Sequence, residues 1–147
     1  MGQLPKRYRA LVIRTDFDDQ RAWQAAAKAI QAPWELPNGQ SYSAQLTFLE
    51  DTTLRNGGQR DVLKRVPKNY TQDFLLVVDR EALSRPEFPI LVVSVSHEEQ
   101  YGRSFRAIAS EIPAIEANLS ISNMEFHDFA DDVDRDGVFR GFPRPTH

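Results

Sequence analysis

The sequence predicts an α+β domain, with mixed α/β as its variant: one mostly antiparallel sheet of about five strands, helices packed on it, and a C-terminal helix pair. Three observations predict it. Apolar, β-branched runs stand at 74–80 (FLLVVDR) and 89–96 (PILVVSVS), and the residues between them are fewer than the roughly a dozen that a parallel crossover needs. Residues 104–110 (SFRAIAS) follow a second short link and continue the meander. The last third changes period: Phe126, Phe129, Ala130 and Val133 recur at i, i+3, i+4 and i+7, one face of a helix.

The remaining elements follow in chain order. Residues 9–17 (RALVIRTDF) carry the apolar run of a buried strand. Residues 18–32 place Trp23, Ala26 or Ala27, and Ile30 on one helical face, with Thr15 and Asp18 at capping-box spacing and Pro33 as the stop. Residues 33–43 (PWELPNGQSYS) read as a loop, whose Trp34 and Tyr42 either form a contact surface or fold back. Alternation of Ala44, Leu46 and Phe48 with Gln45 and Thr47 predicts a strand with one wet face over 44–51. After Gly57-Gly58, Val62, Leu63 and Val66 make the apolar side of a short helix that Pro67 closes. Ser110 caps a helix bearing Ile112, Ile115 and Leu119, with Pro113 in its first turn, and Ser122 with Glu125 predicts the next capping box.

A chain of 147 residues forms one domain over 1–147 and buries roughly 68–70% of its unfolded surface. Hydrophobic content of 41% and charged content of 27% are those of a globular protein. The net charge of −3 gives no drive toward nucleic acid or an anionic membrane, and the basic group Lys6, Arg7 and Arg9 is too small a patch for either. Cysteine is absent, which removes disulfides, thiolate catalysis and cysteine-held metals, and fits a cytoplasmic location. The apolar core at 10–13 is shorter than a signal-peptide h-region, and no run approaches the ~20 apolar residues of a membrane span.

Four constellations bear on chemistry. Asp132, Asp134 and Asp136 followed by Gly137 begin like a calcium loop, but position nine is Arg140 and position twelve, where a bidentate glutamate belongs, is Pro143. A helix end, a glycine turn and a return of Val138, Phe139 and Phe142 to the core account for the same residues. Asp16, Asp18 and Asp19 follow the first strand and Asp79 the central one, as in phosphoacceptor receiver domains that hold Mg²⁺; the lysine such domains need after the last strand is missing from 104–113. His97, His127 and His147 have no metal-ligand spacing, and GxSxG, GxxxxGK[ST] and GxGxxG are absent. Arg103, Arg106, Glu111, Asn118 and Asn123, joined by Arg140, form a polar group that either closes helix ends or lines a surface. No cofactor is expected.

RTDF at 14–17, LLVVDREAL at 75–83, GRSFRAIASEI at 102–112 and NLSISNMEFHDFADDVDRDGVFRGF at 118–142 together resemble a family of small bacterial domains of unknown function. The last run is the most specific, and the relatives show the pattern VDxDGVFRGF, with the place of Asp132 not reliably acidic. The resemblance implies a stand-alone bacterial cytoplasmic domain and carries over no catalytic residue.

The expectation is a non-catalytic protein-binding module, with the compact, slightly acidic profile that toxin-neutralising immunity proteins share. Its partner would be another protein, not nucleic acid or a membrane. The alternative is a small enzyme with a site built from Asp16, Asp79, Arg80 and Arg103; Arg106 and Arg140 complete the candidate binding residues. The enzyme requires several of these groups to converge in one cleft.

Overall fold

The apolar run after Arg9 forms β1 (Ala10–Arg14), every residue of which is buried. Its neighbours are β4 (Leu46–Leu49) on one side and β5 (Phe74–Val78) on the other, both parallel to it. The connections are long enough to carry crossover helices, α1 (Gln20–Gln31) between β1 and β4 and α2 (Gln59–Leu63) between β4 and β5. In this computed structural model residues 9–97 and 100–142 are described. Lys6, Arg7, Glu98, Glu99, Pro143, Pro145 and His147 lie outside them.

Beyond β5 the chain turns back. β6 (Pro89–Ser94) is antiparallel to β5, and β7 (Ser104–Ile108) is antiparallel to β6, as the short links predict. A sixth strand, β8 (Val138–Phe139), joins the far edge parallel to β7, so the order is β4-β1-β5-β6-β7-β8. The sheet is therefore mixed, with three parallel pairings, rather than mostly antiparallel, and has six strands rather than about five. Short links show only which neighbours are antiparallel; a strand-helix-strand run of the length found at 10–78 permits parallel pairing, and β8 is too short to announce itself. A small separate hairpin, β2 (Trp34–Glu35) with β3 (Ser41–Tyr42), occupies the predicted loop.

Alternation along the strands divides the core. Ala10, Val12, Leu76, Val92 and Ala107 face α1, α3 (Ile112–Ser120) and α4 (Phe126–Ala130), where Trp23, Ala26, Ile30, Ile112, Ile115, Phe126 and Phe129 are buried. Leu11, Ile13, Leu75, Val77 and Val93 face Leu54 and the α2 residue Val62. With α1 and α2 on opposite faces, the order β4-β1-β5 is a doubly wound unit, and its crevice falls at the carboxyl ends of β1 and β5.

The caps differ from the sequence reading by a few residues. Asp19, not the Thr15–Asp18 pair, caps α1 by accepting from the Ala22 N–H at 2.9 Å. The Asp128 carboxylate accepts from the Glu125 N–H at 2.8 Å and closes the start of α4, so the capping residue is Glu125 and not Ser122. A single 3-10 turn, Ala109–Glu111, lies between β7 and α3 where Ser110 was the expected cap. Among the described residues no helix is long and apolar enough to cross a membrane.

Candidate functional site

Asp79 stands at the carboxyl end of β5 and Arg106 in the middle of β7. The guanidinium donates to both Asp79 oxygens, at 2.9 and 2.7 Å, and to the Pro89 carbonyl at 3.0 Å. Glu81 completes the group at 3.3 Å. Asp79 also accepts from the Ala82 N–H at 3.0 Å, so it caps the turn that leads into β6. Neighbouring Arg80 is exposed, and among the described residues its side chain takes no hydrogen bond or ion pair.

Asp16 is buried one strand away, and its carboxylate accepts from the Asp18 N–H at 3.0 Å. Its carbonyl accepts from Arg14 Nε at 2.8 Å. Arg14 lies between the Phe17 and Trp23 rings, 4.5 and 5.0 Å from their centroids, and donates to Gln20 and Glu50, each at 2.9 Å. Asp16 and Asp79 thus end adjacent strands, yet no hydrogen bond or ion pair joins them. Arg103 sits at the opposite edge, just before β7, and donates to Gln100 at 2.6 Å and to Asp131 at 2.5 Å. The structure therefore pairs Asp79 with Arg106 and does not gather Asp16, Asp79, Arg80 and Arg103 into one site.

The aspartates of the suspected calcium loop have a different use. Arg140 makes a two-pronged pair with Glu87 at 2.8 and 2.9 Å, and bonds Asp134 at 2.8 Å and Asp136 at 2.8 and 3.1 Å. Arg85 adds a contact to Asp136 at 3.1 Å. The cation at the centre of these carboxylates is the chain's own guanidinium, supplied from the position a calcium loop reserves for a water-bridged ligand. Asp132 takes no part. Among the described residues, no group of three or more His, Asp or Glu side chains is placed to hold a metal ion. Gly137, at φ 81, makes the turn into β8. Gly141, at φ 105, runs so close to Glu111 that an added Cβ would stand 3.4 Å from its carboxylate. Phe139 and Phe142 pack on Phe129, with centroids 5.3 and 5.4 Å away. The run 133–142 is thus a turn, an edge strand and an ionic clasp onto the β5–β6 connection.

The clasp predicts acid sensitivity. Arg140 holds the carboxyls of Glu87 and Asp136 below the usual range, against the opposing effect of desolvation. Groups depressed in the folded state contribute stability above their unfolded values, about 4, and that contribution is lost as pH falls through the folded values. The urea midpoint of the wild type should therefore fall more steeply between about pH 5 and pH 3 than that of Arg140→Gln, and parallel slopes would contradict the clasp.

Sequence reasoning missed a buried carboxylate. Glu116, 1% exposed, accepts from the Tyr42 hydroxyl at 2.5 Å, the Gln45 N–H at 2.9 Å and the Ser120 hydroxyl at 2.6 Å. Burial, and then Glu116 itself, push the Tyr42 hydroxyl pKa up. The signal was present: Ile112, Ile115, Glu116 and Leu119 occupy i, i+3, i+4 and i+7, so an acid falls within the apolar stripe. Tyr42 pairs with Trp34 across the β2–β3 hairpin, so this segment is pinned to α3. Of the histidines, His97 stacks on Tyr101, and His127 has its pKa raised by its hydrogen bond to Glu125.

The family described as Domain of unknown function (DUF6924) matches residues 9–142. The chain belongs to this family. The match takes in every element of the six-stranded sheet and the whole of the Arg140 clasp. No curated protein matches the sequence.

Proposed function

We propose that this member of the DUF6924 family is a non-catalytic protein-binding module, of the kind toxin-neutralising immunity proteins exemplify. The observation that carries the reading is the fate of the charged candidates. Asp79, Arg103, Arg106 and Arg140 are each spent in ion pairs within the domain, and Asp16 in a turn. None of Asp16, Asp79, Arg80 and Arg103 lines the cleft of about 530 Å³ at the other edge of the sheet. A catalytic site would need several of these groups to converge in one cleft, and these four do not line this one.

Charge on the surface supports the same reading. Residues 125–136 hold six acids and one arginine, of which Asp131, Asp134 and Asp136 are paired with Arg103, Arg140 and Arg85 from outside the stretch. Glu125 and Asp131 there are 67% and 60% exposed, and Ile121, four residues before Glu125, is 74% exposed. An exposed apolar residue close in sequence to an acid-rich stretch fits a basic protein surface. The test is recovery from native lysate on the immobilised domain at about 50 mM salt, followed by mass spectrometry. The reading predicts one protein at near-stoichiometric yield, eluted by salt; recovery of none contradicts it.

A further inference from the structure

The cleft of about 530 Å³ opens between the segment after α2 and the start of β5, at the edge of the sheet away from Asp79. Its volume lies within the roughly 300–1,000 Å³ of small-molecule sites. Leu63, Val66 and Val95 give it an apolar side. Tyr70 also lines it, held because its hydroxyl accepts from the Leu11 N–H at 2.8 Å and donates to the Phe74 carbonyl at 2.7 Å. His97 and Tyr101 form another wall as a parallel stack, 4.6 Å between centroids and 4° apart.

Two charges face this space. Lys68 and Asp73 both line the cleft, and among the described residues neither takes a side-chain hydrogen bond or ion pair, with each other or with anything else. This sets them apart from the paired charges around Asp79 and Arg140. Opposite charges standing unpaired around a mostly polar cleft with one apolar side match a ligand that carries both signs on a compact head and a short apolar tail.

We propose that the cleft binds a free α-amino acid with an apolar side chain. Lys68 meets the carboxylate, Asp73 meets the ammonium, and the side chain lies among Leu63, Val66, Val95 and the Tyr70 ring. This assignment is independent of the protein-binding reading, which concerns another surface.

Titration of the full chain with L-phenylalanine and L-leucine, followed by NMR shifts of the Tyr70, Val95 and Tyr101 signals, tests it. Saturable binding with a Kd of ~1 mM or tighter is expected for at least one of the two. Phenethylamine, which lacks the carboxylate, and 3-phenylpropionate, which lacks the ammonium, should each bind at least about tenfold more weakly than phenylalanine where that is the ligand. Lys68→Met and Asp73→Asn replace exposed side chains, so the fold stays intact, and each should weaken binding by about tenfold. No shift with either amino acid up to ~10 mM, equal binding of the one-charge analogues, or variant titrations that superimpose on the wild type would each overturn the proposal.

Discussion

Replacing Glu116 by alanine is expected to destabilise the domain by about 3 kcal/mol and to lower Tm by roughly 10 °C. The carboxylate is 1% exposed and is the acceptor for the Tyr42 hydroxyl, the Gln45 N–H and the Ser120 hydroxyl. Alanine leaves the Tyr42 hydroxyl and the Gln45 N–H without this acceptor, while the Ser120 hydroxyl can still donate to Gln72 Oε1 at 3.1 Å; each buried unsatisfied group costs about 1–3 kcal/mol. The sum stays near the low end because Tyr42 is half-buried and water reaches it. Glutamine keeps an acceptor oxygen and should cost less, about 1 kcal/mol. Urea denaturation of both variants checks the order. Faster amide exchange confined to Trp34–Tyr42 in Glu116→Gln would show that the hairpin is what the network holds. A wild-type midpoint in the alanine variant would sink this reading of Glu116.

Loss of Arg106 should be comparably severe. Its side chain is 15% exposed and that of Asp79 26%, so the pair sits largely out of water. Arg106→Met keeps the aliphatic stem and removes the guanidinium, leaving the Asp79 carboxylate with only the Ala82 N–H and the Pro89 carbonyl without its donor. Breaking a buried pair from one side costs about 3–5 kcal/mol, and the residual exposure places this one near 3. Equilibrium denaturation with an unchanged m-value is the expected result. A smaller m-value would instead indicate a changed denatured or native ensemble.

Local patterns in the sequence reach a good part of this architecture. β1, β5, β6 and β7 follow from apolar runs, α1 and α4 from helical periodicity, and both antiparallel pairings from link length. The parallel half was not legible, because parallel pairing is a property of the crossover: the segments holding α1 and α2 are long enough to permit it and contain nothing that demands it. β8 was hidden by its length, since a strand of Val138–Phe139 has no period to detect. Among the candidate site residues, the sequence marks which ones carry charge, and only the fold assigns partners. Arg106 lies 27 positions from Asp79, and Arg140 53 from Glu87. Arg140 occupies a calcium-loop position, so the loop's acids read as ligands until their own cation is found beside them. Glu116 was within reach of the pattern, because an acid inside an apolar helical stripe must be buried with partners or must break the stripe. Lys68 and Asp73 carry no motif signal: they stand five positions apart in the connection between α2 and β5, and only the folded cleft gives them a common use.

The central claim is that Asp79 and Arg106 hold the fold together as an ion pair. A double-mutant cycle on Asp79→Asn and Arg106→Met, with unfolding free energies from urea denaturation, tests it most directly. A structural pair predicts a coupling energy of about 1–3 kcal/mol and a double variant less destabilised than the sum of the singles. Additive effects, with a coupling within about 0.3 kcal/mol of zero, would mean that the two residues do not sustain each other in the folded state and would contradict the account.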